Sequence, residues 1–84
     1  MLVAKYDPLH SHLTEGGNAS IEMTFDTVAR LVGGLPRSAF TYREWWANES
    51  SRRHVQCQAW MASGRRVEIL DLQRQVVRFS APSR

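Results

Sequence analysis

SRRHVQCQAWMASGRRVEILDLQRQVVRFS, residues 51–80, decides the fold. It reads as a helix followed by a β-hairpin. Ser50 or Ser51 is a helix cap, the pattern runs on to about Ala62, and Gly64 closes it. Residues 65–72 then carry Val67, Ile69, Leu70 and Leu72, and residues 76–80 carry Val76, Val77 and Phe79. The short link Gln73-Arg74-Gln75 joins the two as an antiparallel hairpin. With a three-residue tip, Ile69 faces Phe79 and points to the core.

Working back from the hairpin, Ser38 caps a third helix that holds Phe40, Trp45 and Trp46 and ends near Asn48. Thr24 caps a second helix with an apolar stripe of Phe25, Val28, Leu31 and Val32, stopped by Gly33-Gly34. Ile21 and Met23 alternate around Glu22 in a short strand, residues 20–23. Asp7-Pro8 opens a first helix, with Asp7 as the cap and Leu9 and Leu13 on one face. The order is helix, strand, helix, helical connector, helix, hairpin. This is an α+β pattern in the order of a winged helix, where the first strand joins the hairpin and the last helix enters the DNA major groove.

Bulk properties bound the function. Eighty-four residues make one domain, residues 1–84, with 81–84 expected to fray. No apolar run reaches the roughly 18 residues of a membrane span. The start, Met1-Leu2-Val3-Ala4-Lys5, is too short and too soon charged for a signal peptide. The single cysteine, Cys57, forms no internal disulfide, and a reducing cytoplasm is the expected setting. The chain carries +3 overall, unevenly: residues 1–36 have two bases against four acids, and residues 37–84 have nine arginines against four acids. Arginine's planar fork suits phosphate and guanine edges, so the second half points to a polyanion.

Reactive groups do not converge. His10 and His12 lie two apart on different helix faces, with no third ligand at zinc spacing. His54 and Cys57 lie three apart, but a thiol nucleophile also needs an oxyanion hole and a cleft. No phosphate loop, dinucleotide glycine motif or paired carboxylate is present. The expectation is therefore a binding protein with no cofactor and no metal, and not an enzyme.

Counting 100° per residue from Arg52, the fourth helix puts Val55, Cys57, Met61 and Ala62 on one side and Arg52, Arg53, Gln56, Trp60 and Ser63 on the other. With the first side in the core, the second offers two arginines, an amide and an indole to a base edge. A plain solvated face looks the same, and the pattern leaves both readings open. The pair Trp45-Trp46 cannot point one way, so one fills the core and the other needs the hairpin, a partner or a base to stack on.

Several runs of this chain carry a resemblance: Tyr6-Asp7-Pro8-Leu9, Thr24-Phe25, Leu35-Pro36-Arg37-Ser38-Ala39, Arg43-Glu44-Trp45-Trp46-Ala47-Asn48, His54-Val55-Gln56-Cys57-Gln58-Ala59-Trp60, Gly64 and Val77-Arg78-Phe79. They make it resemble a family of small bacterial domains of unknown function. The resemblance implies a compact domain, found alone or fused, and no established activity. Family members often carry tryptophan after the glycine, where this chain has Arg65, and the stretch between Asn48 and His54 is longer here.

The expectation is a small accessory or regulatory protein that binds double-stranded DNA as a monomer or homodimer. Arg52, Arg53 and Gln56 face the major groove, Arg74 reaches backbone or minor groove from the hairpin tip, Arg43 and Asn48 touch phosphate or orient the helix, and Arg65 and Arg66 extend the patch. The alternative is a protein-interaction module, adaptor or small inhibitor, working through exposed Trp46 or Trp60.

Overall fold

The computed structural model describes residues 4–49 and 55–83. Its elements follow the expected order: α1 (Asp7–Thr14), β1 (Ile21–Thr24), α2 (Phe25–Val32), α3 (Arg37–Thr41), a 3₁₀ turn (Arg43–Trp46), α4 (Cys57–Met61), β2 (Val67–Asp71) and β3 (Val76–Phe79). The strands form one antiparallel sheet in the order β1-β3-β2, so the first strand does join the hairpin. The helices cover one face, and the chain is a small α+β fold.

Local chemistry sets the element ends. Thr24 Oγ1 accepts from the Thr27 N–H at 3.1 Å, the side-chain cap its position required. Gly33 ends α2 at φ 78°, a left-handed conformation that glycine adopts without strain. Asp7 is not the cap of α1: the helix already includes it, and its carboxylate accepts from the Ala4 N–H. The expected third helix splits, because Tyr42 is extended (φ −117°, ψ 127°) between α3 and the 3₁₀ turn.

That break places the two tryptophans. Trp46 stacks between Phe25 (4.8 Å between centroids) and Trp60 (5.9 Å), Trp60 meets Phe79, and Trp45 meets Tyr6 and Trp46 edge-on. All three tryptophans are buried. Trp46 Nε1 donates to the Ala39 C=O at 2.8 Å, so the indole polar group is satisfied inside the core.

Three expectations change. The hairpin tip is four residues, since Asp71 pairs with Val76, and the ladder is irregular between Val67 and Ile69. Val67 therefore lies opposite Phe79, while Ile69 lies opposite Arg78 and stays 49% exposed. One extra tip residue and one bulge move a strand's side chains to the other face. Leu9, Phe25 and Phe79 are buried as expected, and Leu31 is half-buried. Ser83, the last described residue, is bonded rather than frayed: its N–H and Oγ both donate to the Gly64 C=O, at 2.8 and 3.0 Å.

Candidate functional site

The face of α4 is the decisive geometry. Gln56, Cys57, Ala59 and Trp60 are buried, and Val55, Gln58 and Ala62 face out. Val55, Ala62, Gln56 and Trp60 reverse the expected assignment, while Cys57 is buried as expected. Gln56 and Trp60 are four apart and share a face, so burying the indole carries the amide inward with it. Gln56 Nε2 donates to the Trp45 C=O at 2.9 Å, and the side chain is 6% exposed. It is a bridge inside the fold and not a reader of bases.

The other residues named for nucleic acid separate into three groups. Arg52 and Arg53, with His54, lie outside the described residues. Asn48 and Arg65 make internal bonds. Asn48 Oδ1 accepts from the Val67 N–H (2.7 Å) and Trp60 Nε1 (2.9 Å), and its Nδ2 donates to the Val67 C=O (3.0 Å). Arg65 is 1% exposed, and its guanidinium donates to the carbonyls of Leu13, Ala19, Ser80 and Gly17. Arg43, Arg66 and Arg74 are exposed, with Arg43 Nη2 donating to the Leu70 C=O at 3.4 Å. Arg66 and Arg74 stand at opposite ends of β2. Neither Trp46 nor Trp60 offers the exposed indole that the interaction reading expected.

The outward face of α4 instead forms one wall of an open groove of about 600 Å³. The first turn of α1 and the three residues before it, Ala4, Lys5 and Tyr6, form the other wall. Ala4, Tyr6, Val55, Ala59 and Ala62 supply its apolar surface, and Lys5, Asp7, His10 and Gln58 supply polar groups. Val55 is 63% exposed there. His10 Nδ1 lies 3.1 Å from the Ala59 C=O and ties the walls together. A carbonyl only accepts, so Nδ1 carries the proton in that bond. Lys5 Nζ donates to the Val32 C=O at 3.1 Å, at the C-terminal end of α2. Burial pushes the Tyr6 hydroxyl above its ordinary range, so it lines the groove as a neutral group.

Sequence reading missed this groove because it chose the helix face by its arginines. The usable signal was Trp60: the largest side chain on a short helix sets which face is inside.

No group of three or more His, Cys, Asp or Glu among the described residues is placed to hold a metal ion. No helix among them is long and apolar enough to cross a membrane. Cys57 is buried, and its Sγ donates to the Glu49 C=O at 3.0 Å.

The chain belongs to the family described as Domain of unknown function (DUF7662), whose model matches residues 6–82. No curated protein and no solved structure matches it.

Proposed function

We propose that this chain is a protein-interaction module that takes a short amphipathic helix of a partner protein into the groove between α1 and α4. The observation behind this reading is the groove itself: an open apolar concavity on the solvent face of α4, with a polar rim. α1 and α4 flank the groove, and Ala4, Ala59 and Ala62 are small, which leaves room for a partner helix to approach closely. The anchors on the partner are apolar residues at i, i+3 or i+4. We assign the work to a reducing compartment such as the cytoplasm, where a lone thiol persists.

Duplex DNA is the competing partner. A recognition helix must project into a major groove about 12 Å wide. Here α4 is flanked by α1 and presents a hollow, which favours a ligand that fills over one that is filled. Of the arginines expected to meet DNA, Arg43, Arg66 and Arg74 lie on the described surface, mixed with the exposed carboxylates of Glu44 and Glu68.

Selection from a displayed library of helical peptides tests the reading, with Val55→Asp as the counter-selected variant. Peptides that bind the wild type should lose at least about tenfold in affinity, about 1.4 kcal/mol, on Val55→Asp. They should also shift the NMR signals of Tyr6, His10, Gln58 and Ala62. Peptides that map elsewhere would refute the groove. A labelled duplex that binds at low salt and shifts Arg66 and Arg74 instead would establish the DNA reading.

A further inference from the structure

The sheet has two edges, and the chain treats them differently. β1 is four residues long and carries exposed Glu22, which pairs with Arg78 across the strand at 3.5 Å. Shortness and charge are themselves protection against strand addition. β2 is one residue longer and carries Glu68 and Asp71, but it also holds Val67, Ile69 and Leu70 and leaves Ile69 49% exposed. Such an edge is a template for another strand, because its outward N–H and C=O groups are open and its side chains favour extended pairing.

Three groups on this strand are already engaged by side chains. The Asn48 amide engages both the N–H and the C=O of Val67, at 2.7 and 3.0 Å. One donor and one acceptor on a planar amide reproduce the peptide group of a neighbouring strand. Trp60 Nε1 fixes this amide by donating to the same oxygen at 2.9 Å. Three residues further along the strand, Arg43 Nη2 donates to the Leu70 C=O at 3.4 Å. Both side chains come from the segment around Trp45 and Trp46, which the aromatic stack holds against the sheet.

We propose that Arg43 and Asn48 form a self-blocking contact that keeps the β2 edge closed to a β-strand from a second copy of this chain. The second copy is the fitting occupant because antiparallel pairing of β2 with β2, centred on Ile69, sets the two exposed isoleucines side by side. Such an isologous contact closes at two chains.

The test is the oligomeric state of Arg43→Ala/Asn48→Ala, read by light scattering on a sizing column. The wild type should run as a monomer at concentrations where the double variant is mostly dimer, and adding Ile69→Lys should return the monomer. A folded double variant that stays monomeric overturns the proposal. If circular dichroism shows the double variant unfolded, Arg43→Ala/Asn48→Asp gives the reading, since the carboxylate still accepts from the Val67 N–H and Trp60 Nε1 but frees the Val67 C=O: more dimer than wild type supports the contact and an unchanged monomer overturns it. Amide exchange in the wild type supplies a second measurement. The Val67 N–H should exchange about tenfold more slowly than an open amide, as one hydrogen bond requires. Exchange at the open rate would also overturn it.

Discussion

Arg65 carries a charge into the interior, and no carboxylate among the described residues meets it. Nε donates to Leu13, Nη1 to Ala19 and Ser80, and Nη2 to Gly17, at 2.7–3.1 Å. Leu13 lies in the last turn of α1, where the helix dipole favours a cation, and Gly17 and Ala19 belong to the turn that follows. One side chain thus holds the α1–β1 connection against the end of β3. Arg65→Met keeps the volume and strips four carbonyls of their donor. It should cost about 1–3 kcal/mol in chemical denaturation, because the buried Leu13 C=O loses its donor while the partly exposed carbonyls of Gly17, Ala19 and Ser80 can turn to water. Arg65→Lys should fall between, since an ammonium cannot reach in four directions. A loss under about 1 kcal/mol for Arg65→Met would mean water replaces the guanidinium at no cost. Gln56 follows the same logic: Gln56→Ala leaves the Trp45 C=O without that donor and should cost about 1–3 kcal/mol. A melt that does not move would put Gln56 back on the surface.

α4 shows the same point for a whole element. If its face is as described, Trp60→Ala should cost about 3–5 kcal/mol, because it empties the space between Trp46 and Phe79. Val55→Asp and Ala62→Asp, both on exposed positions, should stay within about 0.5 kcal/mol of the wild type. The opposite ranking in thermal melts would restore the arginine-outward face. The sequence made much of the fold legible. Thr24 before Phe25 and Gly33 after Val32 fixed α2, and turn residues between two β-branched runs fixed the hairpin. What it concealed was phase. Alternation alone does not say whether a tip has three or four residues, and that single residue decides whether Ile69 or Val67 faces the core. Periodicity likewise gives two faces to a helix without saying which is inside. Arginine and tryptophan shared one face of α4, and packing of the indole won. The candidate site was legible only as a negative: Val55 and Ala62 were read as core, and the space that α1 leaves beside them depends on long-range packing.

Across the whole molecule, the charge asymmetry takes on a different meaning. The described residues hold eight basic and eight acidic side chains, and the chain's excess of +3 resides on Arg52, Arg53 and Arg84, outside them. One of the eight bases, Arg65, is buried. Others are matched locally: Arg30 with Asp26 at 3.1 Å, and Arg78 with Glu22 and Glu68. Such exposed pairs contribute little to stability, about 0–1 kcal/mol each, and among the described residues acids and bases balance in number. Aromatic packing holds this body together, and its open feature is apolar. The two partner classes then differ in a way that needs no structure of the complex. Release of counterions makes DNA affinity fall by orders of magnitude between about 50 and 200 mM salt when several phosphates are neutralised. Filling an apolar groove releases water, which leaves a negative heat-capacity change as its mark. Calorimetric titration of a selected helical peptide should therefore show a negative ΔCp and an affinity that changes less than about twofold over that salt range, since surface charges contribute little to such a contact. Val55→Asp should abolish the heat signal. A steep salt slope with ΔCp near zero would instead make Arg52 and Arg53 the centre of binding and the groove incidental to it.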